Sequence, residues 1–542
     1  MVSRRSILAL GCLTMTLLVS GCSGQSETRD ERGPIELTTA MPPAKTSVDL
    51  VKWALPFGEP LSLDPSKAFG ESEETVVANL CESVLRMAPD NAVRPGLATS
   101  ADWVNRTTFV IKVRPGVKFW DGTPMTAADV AYSLKRNIDP KVQSSYAGAY
   151  RMVSGIRKTG PMQVTIDFRQ HDAQFRNALA SYSGAVMQKR FTEKIGRGIG
   201  TPAGGLMCTG PYKLVKWSPG DRITVTGNDT YWGGAPKVRT LDFQFITDSS
   251  TLTSALLAGE VDGAFNAPVE SVKAFQNSDQ GELVTGPSSS FVGFFPTTAR
   301  GPAADPRVRQ ALNLSLDKKA FIDNVLLGYG KPLKTMTPPI VWEGIPGHEI
   351  YRTAYDRLPG NEPDLDRAKA LIAEAKPAKK KLVFAMKGGD TLALQAATLI
   401  QAAARELGFD AKIRTLQPTD FDAFFFDASK RASVDFVVSP GWIEVPGALY
   451  YAPEYALQDG VFNYSKYNDP QVTKLLESAR TSTDPDETAR LFSQAQAKFT
   501  EANLFVPLAN TYVRVFINKH LTGVTTSSAF HTSPWAAQLG GK

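Results

Sequence analysis

The chain of 542 residues is poor in the residues and spacings that catalysis most often uses. It has four histidines, His171, His348, His520 and His531, and four cysteines. No pair of histidines has a HExxH-type spacing and no CxxC occurs, which excludes the common zinc and dithiol motifs. There is no GxSxG nucleophile elbow. The glycine pairs Gly204-Gly205 and Gly233-Gly234 form neither a P-loop nor a dinucleotide fingerprint. Adjacent carboxylates such as Glu73-Glu74 occur, but chance alone supplies such pairs among 54 acidic residues. The formal charge of +6 is small and mixed along the chain, which argues against a nucleic-acid partner. With no nucleophile–base pair, metal set or cofactor motif in view, the expected role is binding without turnover, with neither metal nor cofactor.

The N-terminus carries a targeting pattern. Arg4 and Arg5 precede an almost uncharged apolar run, Ile7 to Val19, too short to span a bilayer and of secretory length. It closes on Val19-Ser20-Gly21-Cys22, which resembles a bacterial lipobox. Residues 1–21 then read as a lipoprotein signal peptide and Cys22 as the lipidated first mature residue; the plainer alternative is an ordinary cleaved signal with an incidental cysteine. Cys12 has too few apolar residues before it. From residue 22 to 47 the composition of Ser, Thr, Pro and charged residues predicts a flexible tether. The location implied is extracytoplasmic, anchored to the cell membrane.

The remaining chain, about 495 residues, is too long for one core and predicts two or three domains. Its 42% hydrophobic and 21% charged content is that of a globular protein. Cys81 and Cys208 are left as either one disulfide or two buried thiols.

Strand and helix patterns alternate, which predicts an α/β protein. Thr107 to Arg114 alternates as a strand, Asp121-Gly122 is a turn, and Thr126 with Asp129 forms a capping box ahead of an amphipathic helix. Ser249–Ala258 reads as a helix stopped by Gly259. Further helices are predicted at Val308–Leu316, Lys318–Leu327, Leu365–Ala375, Leu392–Leu407, Val472–Ala479 and Glu487–Glu501. Strands are predicted at Leu241–Ile246, Ala411–Leu416, around Phe505-Val-Pro-Leu and at Val513–Ile517.

Several segments carry a family resemblance. The run from Val113 through Phe119-Trp120-Asp121-Gly122-Thr123-Pro124 to Arg136 closely resembles the signature of the family 5 extracellular solute-binding proteins, the oligopeptide, dipeptide and nickel class of ABC importer components. Leu63-Asp64-Pro65, Pro95-Gly96-Leu97-Ala98 to Trp103, Thr209-Gly210-Pro211-Tyr212, Tyr231-Trp232-Gly233-Gly234, Leu257 to Asp262, Arg309-Gln310-Ala311-Leu312 and Asn463 to Pro470 match further landmarks in order. Trp120 stands where the family usually has histidine.

The resemblance implies a two-lobed periplasmic-binding-protein fold of type II, of the large cluster with an extra subdomain in the first lobe and a two-strand hinge. Lobe I would cover 48–291 with an inserted subdomain at about 68–205, lobe II 292–509, and 510–542 would return to lobe I. The crossings are expected near Ser289–Phe295 and Pro507–Tyr512. The implied function is capture of short peptides in the interlobe cleft by a monomer that delivers them to the ABC permease. The alternative is a non-peptide solute such as a metal chelate, haem, glutathione or a sugar.

Two segments resemble ligand-contacting regions of the family. Gly441-Trp442-Ile443-Glu444 is similar to a Gly-Trp-x-x-Asp motif whose acid pairs with a peptide ammonium, with Glu444 aligned only if one residue is deleted. Glu444 is either that anchor or a solvated loop residue, and Trp442 lines the pocket or packs in a core. Phe69, Gly70, Glu71 and Ser72, beyond Leu63-Asp64-Pro65, match a stretch that bonds the ligand main chain as an added strand.

Overall fold

The computed structural model describes residues 35–360 and 362–542. The signal peptide and Cys22 lie outside the described residues.

Two large sheets organise the chain. The first has seven strands in the spatial order 281–286, 513–518, 263–264, 48–55, 238–245, 222–227 and 212–218. Its central strand Val48–Leu55 runs parallel to both neighbours, and the other pairings are antiparallel. The second sheet has six strands in the order 330–332, 506–511, 291–296, 436–441, 381–387 and 410–416. A separate four-stranded antiparallel layer joins 98–105, 108–113, 163–168 and 153–160.

The chain passes between the two large sheets twice, side by side. Gly281–Gly286 belongs to the first sheet and Phe291–Pro296 to the second. On the return Val506–Thr511 belongs to the second and Val513–Asn518 to the first, with Tyr512 alone between them. Gly286 faces Val513 and Phe291 faces Asn510, so the two crossings flank one another. We call the body around the first sheet lobe I and that around the second lobe II.

Local chemistry sets the helices. Thr126 and Asp129 form the reciprocal capping box, opening helix Ala127–Arg136. Three helices in lobe II start alike, with an aspartate N-cap followed by proline at the first helical position: Asp305-Pro306, Asp469-Pro470 and Asp484-Pro485. Helix Ser249–Ala258 ends on Gly259 in the left-handed region. The helix expected over Lys318–Leu327 is shorter, Lys318–Asn324, because Leu327 takes φ +50° ahead of Gly328.

The landmark segments turn out to bind one another. Arg136 forks onto Asp64 (Nη1 to Oδ1 2.9 Å, Nη2 to Oδ2 2.7 Å), and both are buried. Glu82 accepts from Thr209, Tyr231 and Trp232 at 2.8 to 3.1 Å, beside a Cys81–Cys208 disulfide with Cα atoms 5.0 Å apart. Arg309 donates to the carbonyls of Ala303, Ala304, Ala502 and Asn503. These are buried, satisfied networks that fix the scaffold.

Two expectations are corrected. The tether does not reach residue 47. Thr38 donates to Thr285, Met41 to Val524 and Thr46 to Gly541, and Ala44 is buried, so this strip lies along lobe I. Its Ser, Thr and Pro content concealed backbone pairing that depends on partners some 480 residues away. The span of about 68–205 holds two cores. The four-stranded layer draws its own apolar core from Val84 to Val186, whereas helix Glu71–Leu80 and residues 199–208 pack with the seven-stranded sheet.

Candidate ligand-binding site

The loop Gly441–Gly447 leaves the edge of strand Phe436–Gly441 in lobe II and enters the seam with lobe I. Along it the contacts alternate. Trp442 Nε1 donates to Glu74 Oε2 at 2.8 Å, and Ser289 Oγ donates to the Ile443 carbonyl at 2.7 Å. Val445 is buried in the core of the four-stranded layer, and Gln174 Nε2 donates to the Pro446 carbonyl at 3.2 Å. Gly447 closes the loop at φ +137°, a backbone conformation that favours glycine.

Three carboxylates converge on this loop. Glu71 and Glu74 lie three residues apart on one face of helix Glu71–Leu80, and Glu444 comes from the loop. All three are buried, Glu74 completely. Burial holds Glu444 up to about 8, and the charge of Glu74 adds to the rise; a hydrogen bond from Tyr450 opposes it. Burial raises Glu71 to about 7, opposed by His531, Arg514 and a 2.6 Å hydrogen bond from Asn266 Nδ2. Glu74 is raised too, again by burial, with the Trp442 indole opposing.

His531 completes the cluster. Its ring lies parallel to that of Trp442, 5° off plane with centroids 5.3 Å apart, and Nδ1 is 3.0 Å from Glu74 Oε2. Burial lowers it to about 4, so at neutral pH it is an uncharged neighbour and not an ion-pair partner. Tyr182 donates its hydroxyl to backbone carbonyls of Glu74 and His531, fixing the two chains that carry the cluster. Arg514, near the return crossing, gives Nε to the Ala267 carbonyl and Nη1 to that of Tyr512.

The expected site residues divide. Gly441, Trp442 and Glu444 stand at the seam, and Glu444 is not a solvated loop residue. Trp442 is neither free in a pocket nor enclosed in an apolar core; it bridges lobes through its indole N–H. Gly70 is extended and Phe69 is 42% exposed, but Glu71 and Ser72 open a helix. Residues 69–72 therefore cannot act together as an added strand, because helical φ/ψ turns successive N–H groups along one axis. Glu71 instead brings its side chain. Glu74, His531, Tyr450 and Asn266 were not legible as site residues; the run Glu71-Ser72-Glu73-Glu74 in one helical turn was the available signal for the first of them.

Among the described residues no group of histidine, cysteine and carboxylate side chains is arranged to hold a metal. What the cluster can do is hold a cation: desolvated carboxylates with hydrogen-bonding tyrosine, tryptophan and histidine around them.

Comparison with known proteins fits this architecture. Residues 92–463 match the profile of the bacterial extracellular solute-binding proteins, family 5, middle region. The chain belongs to this family. As a family 5 protein it is the extracytoplasmic solute-binding component of an ABC importer and not an enzyme. The glutathione-binding protein GsiB of Salmonella paratyphi A is 26% identical over 473 residues, covering 85% of this chain and 89% of the relative. The structure of AgaA from A. tumefaciens R10 with agropinic acid superposes with a TM-score of 0.80 at 23% identity, covering 91% of this chain and 99% of that one. The oligopeptide-binding protein AppA of Bacillus subtilis, in complex with a nonapeptide, gives 0.78 at 19% identity, covering 92% and 100%. These likenesses give the α/β fold as the two-lobed periplasmic-binding-protein type.

Proposed function

We propose that this family 5 protein captures short peptides with a free N-terminus in the interlobe cleft, as a lipid-anchored monomer, and delivers them to its permease. The observation that carries the reading is the burial of Glu444 at the lobe seam, on the loop that resembles the family's ammonium-anchoring motif. A carboxylate held up to about 8 by desolvation regains its charged form against an ammonium, which is an attractive exchange in a dry site. Two similar proteins agree in chemistry: glutathione, bound by GsiB, is a tripeptide with a free ammonium, and AppA holds a nonapeptide.

A second reading is a non-peptide solute on the same scaffold. The one-residue shortening between Trp442 and Glu444 favours it, and AgaA with agropinic acid shows that this fold accepts such solutes. Native mass spectrometry of the chain purified from its own host decides between the two. Co-purified peptides that calorimetry then shows to bind support the first; a non-peptide solute retained in the cleft, with no peptide binding, rejects it.

The anchor is proposed at Cys22. Metabolic labelling with a fatty-acid analogue should mark the wild type and not Cys22→Ala, and the variant should appear in the soluble fraction. Labelling that persists in Cys22→Ala would reject the assignment.

A further inference from the structure

Glu74 and Glu444 come from different lobes. Glu74 lies on helix Glu71–Leu80, packed on the seven-stranded sheet, and Glu444 on the loop that leaves the six-stranded sheet. Both are buried, and the charge of Glu74 raises Glu444 further. Among the described residues no lysine or arginine makes an ion pair with either; the one basic ring beside Glu74 is the neutral His531. Arg514 acts on Glu71 instead, with two of its nitrogens already committed to carbonyls.

Once both are ionised, two carboxylates in one desolvated place repel, and here that repulsion lies across the seam between lobes. A third set of atoms points to a ligand. Glu74 Oε1 and His531 Nε2, on two side chains in contact, are both buried and have no hydrogen-bond partner among the described residues. Buried polar atoms of native proteins are nearly always satisfied, and two such atoms on adjoining side chains form a coherent exception. They offer one carboxylate oxygen and one imidazole nitrogen, a set suited to the N–H bonds of a primary ammonium.

We propose that a cationic group of the solute is clamped between Glu74 of lobe I and Glu444 of lobe II, and that this clamp is what allows the lobes to close. The inference rests on the reading of the cleft as the solute site and adds Glu74 as a specificity-determining residue. Selection would then be exercised at closure: a solute with a cationic end cancels the repulsion, and a neutral solute of the same shape leaves it standing.

The ligand-free chain gives the first test. Removing one of the two charges, in Glu74→Gln or Glu444→Gln, should shift the ligand-free mature protein toward the closed form, seen as a smaller radius of gyration in small-angle X-ray scattering at pH 8.5. Unchanged scattering in both variants, with unfolding temperatures showing that both are folded, would overturn the clamp whatever the natural solute is. The second test uses Ala-Ala-Ala and its N-acetyl form as probes. Calorimetry on the wild type should find the acetylated form at least 100-fold weaker. In Glu74→Gln that ratio should drop at least tenfold. An undiminished ratio in the variant rejects the role of Glu74 while leaving the peptide reading intact. If neither probe nor any co-purified peptide binds the wild type, the peptide reading fails, and the scattering result alone judges the clamp.

Discussion

Arg480 and Asp172 meet across the seam at a second place. Both Nε and Nη2 of Arg480 donate to Asp172 Oδ2, at 3.0 and 2.8 Å, and the Asp172 carboxylate is wholly buried. The backbone repeats the link, with Ala173 N donating to the Arg480 carbonyl at 2.8 Å. Arg480 ends helix Pro470–Thr481 of lobe II, and Asp172 precedes the short helix Phe175–Ala178 beside the four-stranded layer. Breaking a buried pair by removing one partner strands a charge and costs on the order of 3–5 kcal/mol, whereas replacing both by apolar groups is nearly neutral. Arg480→Met and Asp172→Asn should each lower the chemical-denaturation midpoint of the closed protein, and Arg480→Met with Asp172→Leu should recover most of the loss. If the double variant is as damaged as the sum of the singles, the pair is not acting as a unit.

The Cys81–Cys208 bond stands next to the site's supporting helix. Cys81 is the residue after helix Glu71–Leu80, and Cys208 precedes the strand Tyr212–Ser218. The bond closes a loop of 127 residues, for which chain-entropy reasoning gives about 3–5 kcal/mol of stabilisation. Cys81→Ser with Cys208→Ser should therefore unfold at distinctly lower temperature. The Glu82 network of Thr209, Tyr231 and Trp232 remains in that variant, so the fold should survive. Identical melting of oxidised and doubly substituted protein would remove the bond from the stability account.

Much of the scaffold was legible because its signals are local. The capping box at Thr126 and the Gly259 stop each reside within four residues of sequence, and the structure has both. The landmark segments were legible as a family pattern, but their physical reason was not. That Arg136 holds Asp64, or that Tyr231 and Trp232 serve Glu82, depends on side chains 72 to 150 residues apart. The site failed in the same way. His531 looked like one of four isolated histidines and Glu73-Glu74 like a chance pair; only the return of the chain to lobe I brings His531 over Trp442. The strip Thr38–Thr46 has the polarity of a tether, and its partners at 524 and 541 lie too far along the chain to show in its local composition.

Trp442 carries two separable interactions, the hydrogen bond to Glu74 and the stack on His531. Trp442→Phe keeps an aromatic face and deletes the donor. A hydrogen bond to a charged group is worth about 1.5–3 kcal/mol, so solute affinity should fall roughly tenfold to 100-fold if the indole holds the lobes together. Trp442→Ala removes the stack as well and should fall further. Calorimetry with the co-purified solute measures both. An unaltered affinity in Trp442→Phe would show that the bond to Glu74 is incidental to capture.

The pH dependence follows from the directions of the buried groups. Glu71 and Glu444, held up to about 7 and about 8 against the ordinary carboxylate value of 4.5, keep their protons in the fold longer than in the unfolded chain. Their contribution is complete below about 4.5 and is lost as pH rises through 7 and 8. His531, lowered to about 4, contributes stability that is lost as pH falls from 6.5 toward 4, so it is silent above neutrality. Lys318, held down to about 7 by burial in lobe II, acts against the carboxylates at alkaline pH, its contribution growing as pH rises above 7. The wild-type melting curve therefore mixes opposing slopes, and the informative quantity is a difference. Glu444→Gln minus wild type, in the ligand-free protein, should become more positive between pH 6 and 8.5, because the variant has no proton to lose while Lys318 cancels. Binding of a cationic solute should release protons over the same range, read as an apparent enthalpy that changes between phosphate and Tris buffers. The neighbours that share the field of Glu444 are Glu74, Tyr450, Tyr146 and Tyr182, and the three tyrosines stay protonated throughout. A pH-independent difference in melting together with buffer-independent enthalpies would mean that Glu444 is ionised in the fold from acid pH upward, and that burial does not govern its charge.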